Sequence, residues 1–185
     1  MERKLWETIV KQCAPVLADV KPSNLLILAR EEQDGFAECE LPEGVQALTL
    51  SRGERKATWF LYRRDRLEAE IVWPQTRAFL NSCDYHAGEE GLDVMLCRLR
   101  ERYAAYKNGR AAFPHEMGVF LGYPLCDVKG FIEHGGKNFL YSGYWKVYGN
   151  VAAAKKTFQT YRAVRDALLW LLSMEDIPRE AELSA

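Results

Sequence analysis

An α/β domain, built as a three-layer sandwich with a sheet of about four or five strands flanked by helices, is the fold class that three observations predict. Aromatic and β-branched runs alternate with helix-period segments through the second half of the chain, the pattern of βαβ crossovers. The chain has 185 residues, enough to bury one core, and its 48% hydrophobic and 28% charged residues are ordinary for a globular protein. No internal repeat, low-complexity segment or linker divides it, so residues 1–175 read as one domain and 176–185 as a frayed acidic tail.

Residues 2–13 place Leu5, Trp6, Ile9 and Cys13 near one face, the i, i+3, i+4 spacing of a half-buried helix. Pro15 is expected to stop that helix and to open a short second one over 14–20, which exits at Lys21-Pro22. NLLILA (24–29) is a short apolar run between turn formers and reads as a buried strand. Residues 30–57 are polar and punctuated by Gly35, Pro42, Gly44 and Gly53, with VQALTL (45–50) as a strand among them. TWFLY (58–62) is a further strand, and RRDRLEAEI (63–71) turns helical. Trp73-Pro74 interrupts before a helix through Phe79 and Leu80. Between Glu89 and Tyr106, the residues Leu92, Met95, Leu96, Leu99 and Tyr103 form an amphipathic stripe.

After the Lys107-Asn108-Gly109 break, MGVFLG (117–122) reads as a buried strand. Pro124 begins a helix through Val128, Phe131 and Ile132 that Gly135-Gly136 ends. NFLYSGYWKVYG (138–149) has the aromatic and β-branched content of one strand. Asn150 caps the most regular helix, with Val151, Ala154, Phe158, Tyr161, Val164, Leu168 and Leu171 at helical spacing.

Composition excludes several function classes. A formal net charge of -1 supplies no field that gathers a polyanion, so nucleic acid would need a local basic patch. The one basic run, Arg52, Arg55, Lys56, Arg63, Arg64 and Arg66, is diluted by Glu54, Asp65, Glu68 and Glu70 and reads as solvated surface. No run approaches the roughly 18 to 20 apolar residues of a membrane span. MERKLWETIVKQC lacks the continuous apolar stretch of a secretory signal, and a cytoplasmic protein is expected. Cys13, Cys39, Cys83, Cys97 and Cys126 show no CxxC spacing, which speaks for reduced thiols and against a disulfide framework or a zinc knuckle.

CAP (13–15), KPSNL (21–25), FPHEMGVFLGYPLCDVKGFI (113–132) and YWKVY (144–148) resemble the bacterial domain-of-unknown-function family 3793 over nearly the whole chain. The resemblance implies a small, soluble, cytoplasmic bacterial protein of a family found mostly in anaerobes. It implies no activity, so the chemistry rests on the residues.

His115 and Glu116 are the first candidates, as general base or ligand with an adjacent carboxylate. Adjacent strand residues face opposite ways, so the two converge only if the backbone turns at Pro114. Met117, Gly118 and Val119 exclude a zinc-protease HExxH. The bland alternative is a histidine that fixes a turn by hydrogen bonding. Cys13 lies near a helix N-terminus if Ala14-Pro15 opens a helix, where the dipole favours thiolate. Cys13, His115 and Glu116 would then make a thiol-dependent hydrolase or transferase, whereas a merely buried Cys13 completes the apolar helix face.

The favoured reading is a small-molecule or cofactor site where the 113–124 stretch, the helix after Pro124 and the 143–148 strand meet. His115 is its principal polar contact or axial-type ligand, Tyr123, Tyr144 and Tyr148 are walls, and Lys146 and Asp127 fix orientation. Through the anaerobe resemblance, a redox, iron or tetrapyrrole-linked ligand comes first, with haem and flavin as the probes. GGKN (135–138) lacks phosphate-loop context and reads as a helix end, while His86 and His134 read as surface residues. A third alternative, an interaction module, predicts a large exposed apolar patch in place of a pocket. Oligomeric state is left open.

Overall fold

β3 (Lys56–Arg63) is the hub of the sheet in the computed structural model, which describes residues 2–174. It pairs antiparallel with β1 (Ser23–Ala29) on one side and β2 (Val45–Arg52) on the other, giving the order β1-β3-β2. Strand periodicity sends Leu26, Leu28 and Leu61 to one face, where they cluster with Leu5, Ile9, Cys13 and Val16 of α1 (Glu2–Leu17). Phe36 of α2 (Gln33–Ala37), which follows a 3-10 turn over Arg30–Glu32, adds an edge-on contact with Trp59. The opposite face sends Leu50, Phe60 and Tyr62 into a cluster with α3 (Arg64–Ile71), α4 (Pro74–Asn81) and α5 (Leu92–Lys107).

α1 runs through Pro15 rather than stopping there. The proline sits in the last turn, where the one donor it lacks costs little continuity, and Arg63 satisfies the carbonyls beyond it. Arg63 Nε donates to Val16 O at 2.7 Å and Nη2 to Leu17 O at 2.8 Å. Gln12 of α1 clasps the edge strand, accepting from Ile27 N at 2.9 Å and donating to Ile27 O at 3.0 Å.

The second half differs from expectation in kind. MGVFLG is helical: α6 (Met117–Phe120) is one turn, prefaced by Gly118 N to His115 O and Val119 N to Glu116 O bonds. A short apolar run carries no period long enough to separate strand from buried helix, and Pro114 favours the turn that starts one. NFLYSGYWKVYG folds back on itself as β4 (Tyr141–Ser142) and β5 (Lys146–Val147), paired antiparallel. Gly143 makes this possible: a Cβ there would meet the Phe158 ring at 2.2 Å. Among the described residues the second half holds no parallel strands and hence no βαβ crossovers, and the expected sheet of about four or five strands is a three-stranded sheet plus a separate hairpin.

α7 (Leu125–Glu133) starts after Pro124 and ends before Gly135 and Gly136, both at positive φ, as expected. α8 (Val151–Met174) is capped by Asn150, whose Oδ1 accepts from Ala153 N at 3.0 Å. The molecule is thus a mixed α/β fold with eight α-helices among the described residues. No helix among them is long and apolar enough to cross a membrane. The expected tail over 176–185 lies outside the described residues.

Candidate functional site

The stretches quoted for the resemblance converge in space. Ser23 Oγ donates to Phe120 O at 2.6 Å, tying β1 to α6. Gly122, at φ +69, lets the chain pass Pro22, whose ring would sit 2.5 Å from any Cβ. That approach lays Tyr123 over Lys21 on one side and against Trp145 on the other, with stacked ring centroids 5.0 Å apart.

Beside this junction lies a hollow of about 490 Å3. Phe113 and His115 approach it from before α6, Met117, Gly118 and Leu121 from α6 and its end, Val128 and Phe131 from α7, and Trp145 and Lys146 from the hairpin. Gly118 has no room for a side chain, since a Cβ would meet Val128 at 2.8 Å. His115 is exposed at the mouth, its ring between Phe113 and Phe131 with centroids at 5.4 and 5.2 Å. Lys146 is half-buried; its ammonium donates to Gly136 O at 2.6 Å and lies over Phe139 and Phe131, 4.9 and 5.6 Å from their centroids.

Asp127 also lines the hollow, and its carboxylate is engaged by three N–H donors. Oδ1 accepts from Tyr148 N and Gly149 N, both at 2.8 Å, and Oδ2 from Trp145 Nε1 at 2.7 Å. It orients the hairpin, and these three donors take most of its roughly four acceptor positions.

His115 and Glu116 diverge. Glu116 is 4% exposed and turns inward, where it accepts from Arg102 Nε at 2.6 Å and Tyr85 Oη at 3.0 Å. Burial, then the Glu116 charge, pushes the Tyr85 phenol above its ordinary range. Tyr144 does not line the hollow; it sits in the hairpin turn and packs on Phe158 and Tyr161 of α8. Tyr148 packs over Gly130 and stacks on His134, its phenol buried without a partner. The alternation expected of a single strand fails because the segment is a hairpin, which turns Trp145 to the hollow instead.

Cys13 lies toward the C-terminal end of α1, fully buried, its thiol 3.7 Å from Leu25 O. Burial pushes the thiol up to about 12. Because α1 continues through Pro15, Cys13 has no helix N-terminus beside it, and the cluster that holds it is not the one that borders the hollow. The fold therefore does not bring Cys13 to His115.

Sequence reasoning missed Phe113, Met117, Val128 and Phe131 as lining residues. The spacing of Asp127, Val128 and Phe131 on α7 is the signal that could have found one wall. It also missed Lys21, 2% exposed, whose ammonium donates to Asn24 Oδ1 at 2.9 Å beneath the rings of Tyr123 and Tyr161. A second hollow of about 770 Å3 lies between α1 and α2, and Glu31, Glu32, Glu38 and Glu40 line it with Lys4 and Trp6. Exposed apolar side chains gather on the last turns of α8 at Trp170, Leu171 and Met174. Arg64 and Arg66 of the basic run are engaged by Asp93 and Asp19. No group of three metal-ligating side chains occurs among the described residues.

Against known proteins, the family described as "Protein of unknown function (DUF3793)" matches residues 9–179, and the chain belongs to that family. No curated protein and no solved structure matches it.

Proposed function

Taking that family membership as the premise, we propose that the protein binds a small, largely apolar molecule in the hollow between α6, α7 and the β4–β5 hairpin. One observation carries the reading: a hollow of about 490 Å3 walled by apolar and aromatic side chains, with His115 and Lys146 as its polar groups still able to meet an occupant. Ligand sites of about 300–1,000 Å3 have this make-up, apolar walls with few polar groups that set orientation. Aromatic walls suit a flat ring system, and an exposed imidazole is a group that takes the iron of a porphyrin. Haem and flavin mononucleotide are therefore the first probes.

The test is anaerobic titration of the purified protein with each probe, followed by absorbance. A saturable spectral change with either supports the reading. For haem, His115→Ala removes the imidazole-ligated bands while leaving the melting temperature of the free protein unchanged. A protein that alters neither spectrum, and whose melting temperature neither probe raises, rules out a ring-cofactor occupant.

A further inference from the structure

We infer that the occupant of this hollow is an anionic amphiphile, an apolar ring or chain with an acidic group that sits on Lys146. The inference rests on the ligand-binding reading above and adds the charge of the ligand. Lys146 is half-buried beside Trp145 and Phe131, where a charge is stronger and less tolerable alone than in water. It takes part in no salt bridge among the described residues. The one carboxylate in the lining, Asp127, is spent on Trp145, Tyr148 and Gly149. Lys146 thus has no carboxylate within salt-bridge reach among the described residues.

The ammonium is also held in place rather than trailing into solvent. Gly136 O accepts one of its three N–H bonds, and the faces of Phe131 and Phe139 flank it. Gly136 at φ +73 has no room for a side chain, whose Cβ would lie 2.9 Å from the Phe131 ring and 3.4 Å from Lys146 Nζ. Two N–H donors remain for an acceptor. His115, exposed in the same lining, can add a third donor. A neutral apolar ligand would bury the ammonium further with no counter-ion, which disfavours it; an anionic one supplies that counter-ion.

Two fluorescent probes that share a naphthyl–phenylamine body and differ in charge separate the possibilities: 1-anilinonaphthalene-8-sulfonate and neutral N-phenyl-1-naphthylamine. Both are titrated into the Trp170→Ser protein, which lacks the exposed indole of α8 as a competing site, and into the same protein carrying Lys146→Gln or Lys146→Arg. The sulfonate is expected to bind at least tenfold tighter than the neutral probe. Lys146→Gln should weaken the sulfonate about tenfold, leaving the neutral probe within twofold, and Lys146→Arg should restore it. Melting curves verify that each variant is folded, and a Lys146→Gln protein that does not fold hands the decision to the probe ratio in the parent. Equal affinity for the two probes, or a folded Lys146→Gln protein indifferent to the sulfonate, overturns the anionic ligand while leaving the hollow as a binding site. Binding of neither probe overturns both readings.

Discussion

The core beneath α1 and the hollow beside α7 hold the same kinds of reactive group and treat them oppositely. Under α1, Cys13 and Lys21 are almost wholly enclosed, the thiol pushed up to about 12 and the amine down to about 7, both first by burial. Beside α7, His115 stands in the open and Lys146 is only half covered. The contrast follows from helix length: α1 lays 16 residues along the sheet, whereas α6 is a single turn of four and leaves a gap above the hairpin. What the difference teaches is that nucleophile and base alone do not make a site. Access does, and access here is a property of how far each helix reaches.

The largest expected effect tests whether the two regions are separable. Asp127→Ala strands the buried Trp145 Nε1 and takes the acceptor from the part-buried Tyr148 and Gly149 amides, at a cost of about 3 kcal/mol. For a chain of this size that lowers Tm by roughly 10 °C. Hydrogen exchange should rise at the hairpin and α7 while β1 and β3 stay protected. Equal loss in both would show one cooperative unit and erase the distinction.

Glu116 joins α5 and Tyr85 to the segment that carries His115. Glu116→Ala should cost about 2 kcal/mol, because the buried Tyr85 hydroxyl loses its acceptor, and Glu116→Gln under half of that. Denaturant midpoints decide; a change that lowers ligand binding without lowering stability would assign Glu116 to the hollow instead.

Lys21 sharpens the sealed side. A lysine whose folded value is about 7, against an ordinary 10.5, leaves the unfolded chain binding more protons between those values, so stability rises as pH increases through 7 toward 9. Below 7 both states are protonated and the full burial cost is present. Above about 9 the buried Cys13 acts the other way, since the unfolded thiol ionises first. Tyr123 and Tyr161, the rings against the amine, are held up to about 12 by burial and stay neutral in this window. Lys21→Met should therefore flatten the rise between pH 7 and 9 and stabilise the protein by about 1–2 kcal/mol at pH 7. A slope that survives the substitution would locate its source elsewhere.

The smallest effect is one of rate alone. Iodoacetamide at neutral pH should modify the exposed Cys97 and Cys126 in the native protein and reach Cys13 only on unfolding. Peptide mapping over time reads this directly, and early labelling of Cys13 would revive thiol chemistry and collapse the contrast.

Much of the fold was legible in advance. NLLILA, VQALTL and TWFLY became β1, β2 and β3, and the stripe from Leu92 to Tyr103 became α5. The ends of α7 and the cap of α8 followed from Pro124, Gly135 and Asn150. His115, Tyr123, Asp127 and Lys146 were named and line one hollow; Tyr144, Tyr148, Glu116 and Cys13 were named and do not. The misses share a cause. Each concerned a short segment or a single side chain, where local spacing is compatible with two directions and a distant neighbour chooses between them.

The sequence by itself determined α5, α8 and the three long strands, because their apolar periods repeat often enough to bury only one way. Tertiary structure alone decided that MGVFLG would coil, that the aromatic segment would fold back against Phe158, and that Asp127 would be consumed while Lys146 kept two free donors. Those outcomes depend on contacts between residues far apart in the chain, and a side chain's burial and hydrogen-bond partners exist only once such contacts form.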